Sequence, residues 1–147
     1  MRKINTVVIH CTATKEGVDI GAKEIDGWHK DKGWSGIGYH YVFLLDGSVE
    51  VGRPEENQGA HVKGENEDTI GAVYVGGLSR DLKPKDTRTD AQKKSLRCFV
   101  ENMRNSFPGV SIKGHRDYSP DKNGNGIIEP SEWFKDCPCF DVEKEYS

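Results

Sequence analysis

The sequence predicts an α/β fold: one domain spanning residues 1–147, in which helices flank a mixed central β-sheet. Short β-branched runs alternate along the chain with segments of helical periodicity, which indicates strands and helices packed as layers. One segment also carries a strong hairpin signal, so at least one strand pair should be antiparallel. A chain of this length can bury roughly two-thirds of its unfolded surface in a single core.

The first half of the chain contains three predicted strands and one helix. Residues 4–10 form a β-branched run that fits a buried strand ending at His10. Residues 21–32 have the spacing of an amphipathic helix. Residues 39–53 indicate two strands joined at the Asp-Gly step at 46–47, which predicts an antiparallel hairpin.

The second half repeats the alternation of strand and helix. A polar, glycine-containing loop over residues 54–68 precedes a buried strand over residues 69–77. Residues 91–107 show apolar positions at helical spacing, and a Pro-Gly step ends that helix. A last short strand over residues 110–113 leads directly to His115. Loops as long as 54–68 often carry function.

Composition and charge exclude several classes of protein. Apolar residues make up 34%, charged residues 31%, and the net charge is only -3, which is typical of a soluble globular protein without a nucleic-acid partner. The apolar run near the N-terminus is too short for a signal peptide or a membrane span. We therefore expect a monomer that is cytoplasmic as synthesised and has no membrane partner.

The cysteines are candidate metal ligands. The four cysteines are Cys11, Cys98, Cys137 and Cys139. They could form two disulfides, but an intracellular chain of this size usually keeps its thiols reduced. Reduced thiols are available to bind a metal.

A His-His-Cys set indicates zinc. His10 and His115 are each predicted at a strand end, and Cys137 could complete three protein ligands with a fourth position open, which is typical of catalytic zinc. Such a site lowers the pKa of water to about 7 and polarises a carbonyl, which suffices to hydrolyse an amide. The same residues are also commonly found simply packed or exposed. The pattern by itself leaves both interpretations open.

Several motifs, in chain order, carry a resemblance to a known family: VVIHCTAT, IDGWHKDKGWSGIGYHYVF, DGSVEVGR, GAHVKGEN, TIGAVYVGG, and GHRD followed by KDCPCFD. In this combination the chain resembles the zinc-dependent N-acetylmuramoyl-L-alanine amidases. That family includes the phage lysozyme-type amidases and shares its fold with the peptidoglycan recognition proteins. The resemblance runs over nearly the whole chain and implies hydrolysis of the amide bond between N-acetylmuramic acid and L-alanine in peptidoglycan.

The resemblance assigns roles to five residues. The zinc histidines of the family match His10 and His115, and its cysteine ligand matches Cys137. The family residues that support the reaction match Tyr39 in GYH and Lys135 in KDC. A phenol near the metal can orient water or bind an oxyanion, and an ammonium group can neutralise the charge that develops on the tetrahedral intermediate. Taken alone, the tyrosine would be interpreted as core packing and the lysine as a surface charge.

Further residues near these motifs receive weaker assignments. Arg53 and His61 lie in the region that lines the substrate groove in the family, so the resemblance implies contact with the glycopeptide. Strand alternation predicts that Tyr39 and Tyr41 share one face of the sheet, while His40 turns to the other. We therefore expect His40 to support the site from behind or to lie in the core.

An insertion over residues 121–132 lengthens the spacing between His115 and Cys137. It matches the EF-hand calcium pattern D-x-[DN]-x-[DN]-G-x5-E, with Gly126 at the sharp turn. The predicted calcium ligands are Asp121, Asn123, Asn125, Ile127 through its carbonyl, and Glu132. The alternative is a plain polar loop, because Asn and Gly favour turns in any case. Calcium is favoured because a plain turn needs neither the glycine at position six nor the acid at position twelve, and a bound ion would stiffen the insertion.

Two other functions compete with the amidase interpretation. The first is a peptidoglycan-binding module without catalysis, but non-catalytic relatives typically lack the cysteine ligand that Cys137 supplies here. The second is a zinc peptidase acting on the stem peptide, whose common H-E-x-x-H motif is absent. A wall hydrolase made in the cytoplasm would act after release from the cell, or on wall fragments brought inside.

Overall fold

The structure, a computed structural model, describes residues 2–120, 122–126, 128, 131, 133 and 135–147. In chain order its elements are β1 (Thr6–Cys11), β2 (Thr14–Lys15), α1 (Ala22–Asp31), β3 (Tyr41–Phe43), β4 (Val49–Val51), β5 (Thr69–Tyr74), β6 (Gly77–Leu78), α2 (Asp90–Ser106), β7 (Ser111–Gly114), a 3₁₀ turn (His115–Tyr118) and α3 (Val142–Glu145). None of these helices is long and apolar enough to cross a membrane.

The central sheet is mixed, as predicted. Within the described residues its five strands lie in the order β4-β3-β5-β1-β7. β1 pairs in parallel with β5 on one side and with β7 on the other, and β3 pairs in parallel with β5. The hairpin of β3 and β4 is antiparallel, which confirms that prediction. β2 and β6 form a separate parallel pair.

β1 separates two layers of side chains. Val7, Ile9 and Cys11 belong to the larger hydrophobic cluster, to which α2 contributes Leu96 and its apolar neighbours. The alternate residue His10 turns to the opposite face, which α1 and the segment before β3 cover. The pleat of one strand therefore divides the stabilising core from the face that carries the candidate site.

Tyr39 and Tyr41 lie on opposite sides of the sheet, so the predicted shared face is wrong. β3 begins only at Tyr41, and the alternation of a strand does not extend to the irregular residues before it. The ring of Tyr41 packs 5.2 Å from Phe99 of α2, measured between ring centroids. The ring of Tyr39 lies 5.0 Å from that of His10. Of the two tyrosines, Tyr39 is therefore the one on the face of the candidate site.

The predicted calcium loop lies partly outside the described residues, among them its ligands Asp121, Ile127 and Glu132. In the part that the structure describes, the backbone N–H of Asn125 donates to the side-chain oxygen of Asn123 at 3.1 Å. This contact is a local turn of the kind that asparagine favours. The EF-hand-like arrangement therefore remains a prediction.

Gln92, in the first turn of α2, links that helix to the sheet. Its side-chain oxygen accepts the N–H of Thr89 at 2.9 Å, and the hydroxyl of Thr89 accepts the N–H of Gln92 at 3.0 Å, which forms a capping box. The side-chain NH₂ group of Gln92 donates to the carbonyls of Phe43 at 3.1 Å and Val75 at 3.0 Å. One buried amide thus satisfies carbonyls at the ends of two strands.

We expect Gln92→Ala to lower the free energy of unfolding by about 2–4 kcal/mol, because it removes half of the capping box and the side-chain donor to the carbonyl of Val75. The carbonyl of Phe43 would keep only the N–H of Val75 as a donor. The measurement is urea denaturation followed by circular dichroism. Lys94→Ala, at an exposed position of the same helix, is the control and should change stability by less than about 0.5 kcal/mol. Equal effects of the two substitutions would contradict this account of the α2 contact.

Candidate active site

His10, His115 and Cys137 come together from three parts of the chain, and their ligand atoms all lie within 4.8 Å of one another. His10 lies near the carboxyl end of β1. His115 follows β7, which runs parallel to β1, so both histidines emerge at the same edge of the sheet. Ligands commonly bind at this edge of parallel strands. The centroids of the two imidazole rings are 4.7 Å apart.

Cys137 reaches this edge on the C-terminal segment, where main-chain contacts hold it. The N–H of Arg116 donates to the carbonyl of Cys137 at 2.9 Å, and the N–H of Cys11 donates to Cys137 Sγ at 3.2 Å. The segment approaches the end of β7 so closely that a Cβ on Gly114 would lie 2.8 Å from Cδ of Pro138. Glycine at position 114 is therefore needed for the cysteine to enter the site.

The two histidines of this set are neutral at physiological pH. Burial is the main cause that lowers the pKa of His10 well below its usual value, and the nearby His61, His115 and Lys135 lower it further. Burial, together with Lys135, lowers the pKa of His115 to about 4. Neutral imidazole is the form that binds metal ions, so the environment selects the competent state.

A chain of hydrogen bonds sets the tautomer of His10. The Thr69 hydroxyl donates to the carbonyl of Glu65 at 2.8 Å, so it can only accept from Nε2 of His61, which lies 3.1 Å away. Nδ1 of His61 then carries no proton and accepts from Nε2 of His10 at 2.9 Å. Nδ1 of His10 is left with a lone pair available to a metal.

His61 can lie against β5 because residue 71 is glycine. A Cβ at Gly71 would come within 2.6 Å of Cγ of His61. The motif analysis placed His61 near the substrate and missed its contact with His10. The glycine inside an otherwise β-branched strand was the available signal, because such a position often marks the close approach of another group.

Tyr39 borders the metal set on one side. Its ring lies 5.0 Å from that of His10 and 5.5 Å from that of His29, measured between centroids. His29 is held in place because its Nδ1 accepts the N–H of Gly38 at 2.8 Å. Burial, with a smaller contribution from the thiol of Cys137, raises the pKa of Tyr39. The phenol therefore keeps its proton and is able to donate a hydrogen bond.

A cleft of about 700 Å³ opens onto this site, and its walls include His61, His115 and Lys135. Trp34 and Tyr118 line the same cleft, and motif analysis missed both. Trp34 is 40% exposed although large aromatic residues are usually buried, and nothing local in the sequence distinguishes an exposed tryptophan from a core one. The cleft thus brings His115 of the candidate metal set together with Lys135, one of the two predicted supporting residues, and with an aromatic wall.

Arg53 lies away from this cleft. Its guanidinium donates to the carbonyls of Ile37 at 3.0 Å and Gln58 at 2.8 Å, and it lines a polar hollow of about 380 Å³. Its contact with substrate stays a prediction. His40 is fully buried, and its Nδ1 accepts the N–H of Gly71 at 3.0 Å, as expected for a core histidine.

Comparison with known proteins places the chain among cell-wall amidases. Residues 1–130, which include His10 and His115, match the family described as N-acetylmuramoyl-L-alanine amidase. The endolysin of Klebsiella phage KP32 is 34% identical over 143 residues, which cover 97% of this chain and 85% of the phage protein. The endolysin of Escherichia phage T7 is 34% identical over 140 residues, covering 95% and 83%.

Two solved structures resemble this fold. The N-acetylmuramoyl-L-alanine amidase LysC from Clostridium intestinale URNW superposes with a TM-score of 0.73 at 27% identity, covering 98% of this chain and 82% of LysC. Bumblebee PGRP-SA superposes with a TM-score of 0.73 at 21% identity, covering 99% of this chain and 81% of the bumblebee chain. The second similarity concerns the fold alone.

The lowered histidine pKa values predict that the metal-free protein loses stability as the pH falls below neutrality. An unfolded histidine titrates at about 6.5. In the folded protein the pKa is about 4 for His115 and about 3 for His61, so between these values the unfolded chain binds more protons and unfolding is favoured. The measurement is the free energy of unfolding in a metal chelator between neutral pH and about pH 4. His115→Asn should show a shallower dependence on pH, and an unchanged slope would contradict the assignment.

Proposed function

The chain belongs to the N-acetylmuramoyl-L-alanine amidase family, and from this membership we propose that it hydrolyses the amide bond that joins N-acetylmuramic acid to L-alanine in peptidoglycan, with a zinc ion that His10, His115 and Cys137 would hold. One observation carries the proposal: two neutral imidazoles and one thiol converge within 4.8 Å at the edge of an open cleft. Two nitrogen ligands and one sulfur ligand suit zinc, and three protein ligands leave a position for water or substrate.

The donor set fits the metal chemically. His10 and His115 are held neutral by burial, and the N–H of Cys11 points at Cys137 Sγ, where it would stabilise a thiolate. A bound zinc ion would supply a Lewis acid that polarises the scissile carbonyl and lowers the pKa of a water molecule. The protein's own contribution is to orient the ligands before the metal arrives.

His61 orients His10. Because Nδ1 of His61 accepts the proton on Nε2 of His10, the ring cannot rotate or change tautomer without losing that hydrogen bond. Hydrogen bonds of this type from metal-binding histidines to a second group typically change metal affinity by about 10- to 100-fold. We therefore give His61 a positioning role in addition to its predicted contact with substrate.

Tyr39 and Lys135 would assist the reaction from two sides. The protonated phenol of Tyr39, next to His10, can donate a hydrogen bond to an oxygen of the substrate as negative charge develops there. The ammonium group of Lys135 in the cleft wall would neutralise part of the same charge. Donors of this kind typically contribute a few kcal/mol to stabilisation of the transition state.

The cleft is large enough for a glycopeptide. Its volume of about 700 Å³ lies within the usual range for binding sites of small molecules, and Trp34 offers an exposed aromatic face to a sugar or peptide. Arg53 lies beside the neighbouring polar hollow, which a longer substrate would reach. Since several relatives are named endolysins, we further propose that the enzyme acts on the wall after release from the cell that makes it. That it acts as a monomer stays a prediction.

We expect zinc-loaded protein to release new amino termini of L-alanine from purified peptidoglycan, and Cys137→Ala to lower that activity by more than about 100-fold because a ligand is lost. The measurement is amino-terminal labelling followed by identification of the labelled residue. Cys98→Ala, which changes an exposed thiol on α2, is the matched control and should keep full activity. Binding to peptidoglycan without cleavage would instead indicate a recognition module. New amino termini inside the stem peptide would indicate a peptidase.

We also propose that the insertion over residues 121–132 binds calcium, on the strength of its sequence pattern. Added calcium should then raise the melting temperature of the zinc-loaded protein, and Glu132→Gln should abolish that increase. Glu143→Gln, at an exposed position outside the insertion, is the control. If a calcium-selective chelator changes neither melting temperature nor activity, the insertion is a plain loop.

A further inference from the structure

The segment over residues 135–141 carries the third metal ligand and contains no helix or strand among its residues, all of which the structure describes. His10 and His115 are positioned differently, because parallel strands deliver both of them. The position of Cys137 must therefore depend on contacts that the segment makes with the rest of the domain. Two buried side chains from distant parts of the chain make such contacts.

Tyr74 is the first of these side chains. It is the last residue of β5, it is fully buried, and its hydroxyl donates to the carbonyl of Pro138 at 2.6 Å. Burial raises the pKa of Tyr74, so the hydroxyl keeps the proton that it donates. Since Arg116 holds the carbonyl of Cys137 itself, two consecutive carbonyls of the segment are fixed by groups of the domain.

Arg88 is the second, and it acts on Phe140. The Arg88 side chain is only 2% exposed, and its guanidinium forms ion pairs with Asp86 at 2.9 Å and Glu145 at 2.6 Å. The central carbon of the guanidinium lies 3.4 Å from the centroid of the Phe140 ring. Phe140 also packs against Tyr74, with centroids 6.2 Å apart. Arg88 and Tyr74 thus hold one short stretch of chain between them.

Tyr74, and the Phe140 ring that Arg88 contacts, lie in the hydrophobic cluster that includes α2, across the sheet from the face that carries His10. Removing one of them would loosen the segment without disturbing the pairing of the strands that place the two histidines. Their loss should therefore affect the thiol ligand more than the imidazole ligands. A side chain that only stabilised the fold would not have this selective effect.

We propose that Tyr74 is a positioning residue for the metal site: its hydroxyl, acting through the carbonyl of Pro138 and supported by the contact of Arg88 with Phe140, holds Cys137 Sγ beside His10. This inference rests on the proposed His-His-Cys zinc set. Tyr74 touches neither substrate nor metal, and its effect passes entirely through the backbone of the C-terminal segment.

The test compares Tyr74→Phe with the wild type, because that substitution removes one oxygen atom and keeps the packed ring. The matched control is Tyr41→Phe, which loses a hydroxyl that donates a hydrogen bond to Glu55. Metal-free protein is titrated with Co²⁺, and the thiolate-to-cobalt charge-transfer absorption is compared with the d–d bands. Zinc affinity is measured separately by competition with a chelator, at a temperature where each variant is folded by circular dichroism.

We expect Tyr74→Phe to weaken zinc binding by about 10- to 100-fold and to reduce the charge-transfer absorption while the d–d bands persist, because the imidazoles still bind. The control should match the wild type within about twofold. Arg88→Lys keeps the charge but loses the planar stack on Phe140, so it should shift both readouts in the same direction. It also provides the test if Tyr74→Phe does not fold.

The proposal is overturned if the folded variant has a lower melting temperature but the same zinc affinity and the same charge-transfer absorption, because Tyr74 then acts only on stability. It is also overturned if the wild type binds cobalt without a thiolate band, and that result removes Cys137 from the proposed zinc set as well. The wild-type spectrum thus tests the metal site. The difference between variant and wild type tests the positioning by Tyr74.

Discussion

The parallel pairing of β1 with both β5 and β7 is the constraint on which the rest of the structure depends. Val7 and Ile9 are fully buried against α2, so the register of β1 cannot slip by one residue without turning them away from the core. The same register turns His10 to the opposite face. β7, paired beside it, delivers His115 at the same edge. Hydrophobic burial on one face of β1 therefore determines where the two proposed metal ligands lie.

The side chains that form the hydrogen-bonded chain from His10 hold that ring in place without any charged group. The hydrogen bonds from His10 through His61 and Thr69 end on a main-chain carbonyl, and every group in the chain is neutral. Such a network orients its first member without the desolvation cost of a buried ion pair. It also depends on the histidines staying neutral, which couples the integrity of the site to pH.

The proposed third ligand is held by a different kind of interaction. Cys137 belongs to a segment without regular structure, and its position depends on Tyr74, on the ion pairs of Arg88 and on the close fit of Pro138 over Gly114. The two histidines are thus placed by paired strands, whereas the thiol is placed by side-chain contacts to a segment without regular structure.

The sequence by itself determined the alternation of strands and helices and the antiparallel hairpin, and it predicted that His10, His115 and Cys137 form a metal set, three residues that the fold does bring together. Periodicity, turn residues and ligand motifs are local features, so they can be recognised in the sequence without knowledge of the tertiary packing. The tertiary structure alone decided that Tyr39 faces the site while Tyr41 packs on α2, and that His61 orients His10 across 51 residues of chain. The contacts of Tyr39 and Tyr41 depend on where β3 begins, and the contact of His61 depends on the path of the loop that carries it. Both are properties of the packed domain, because the free energy that selects them comes from burial shared among distant segments.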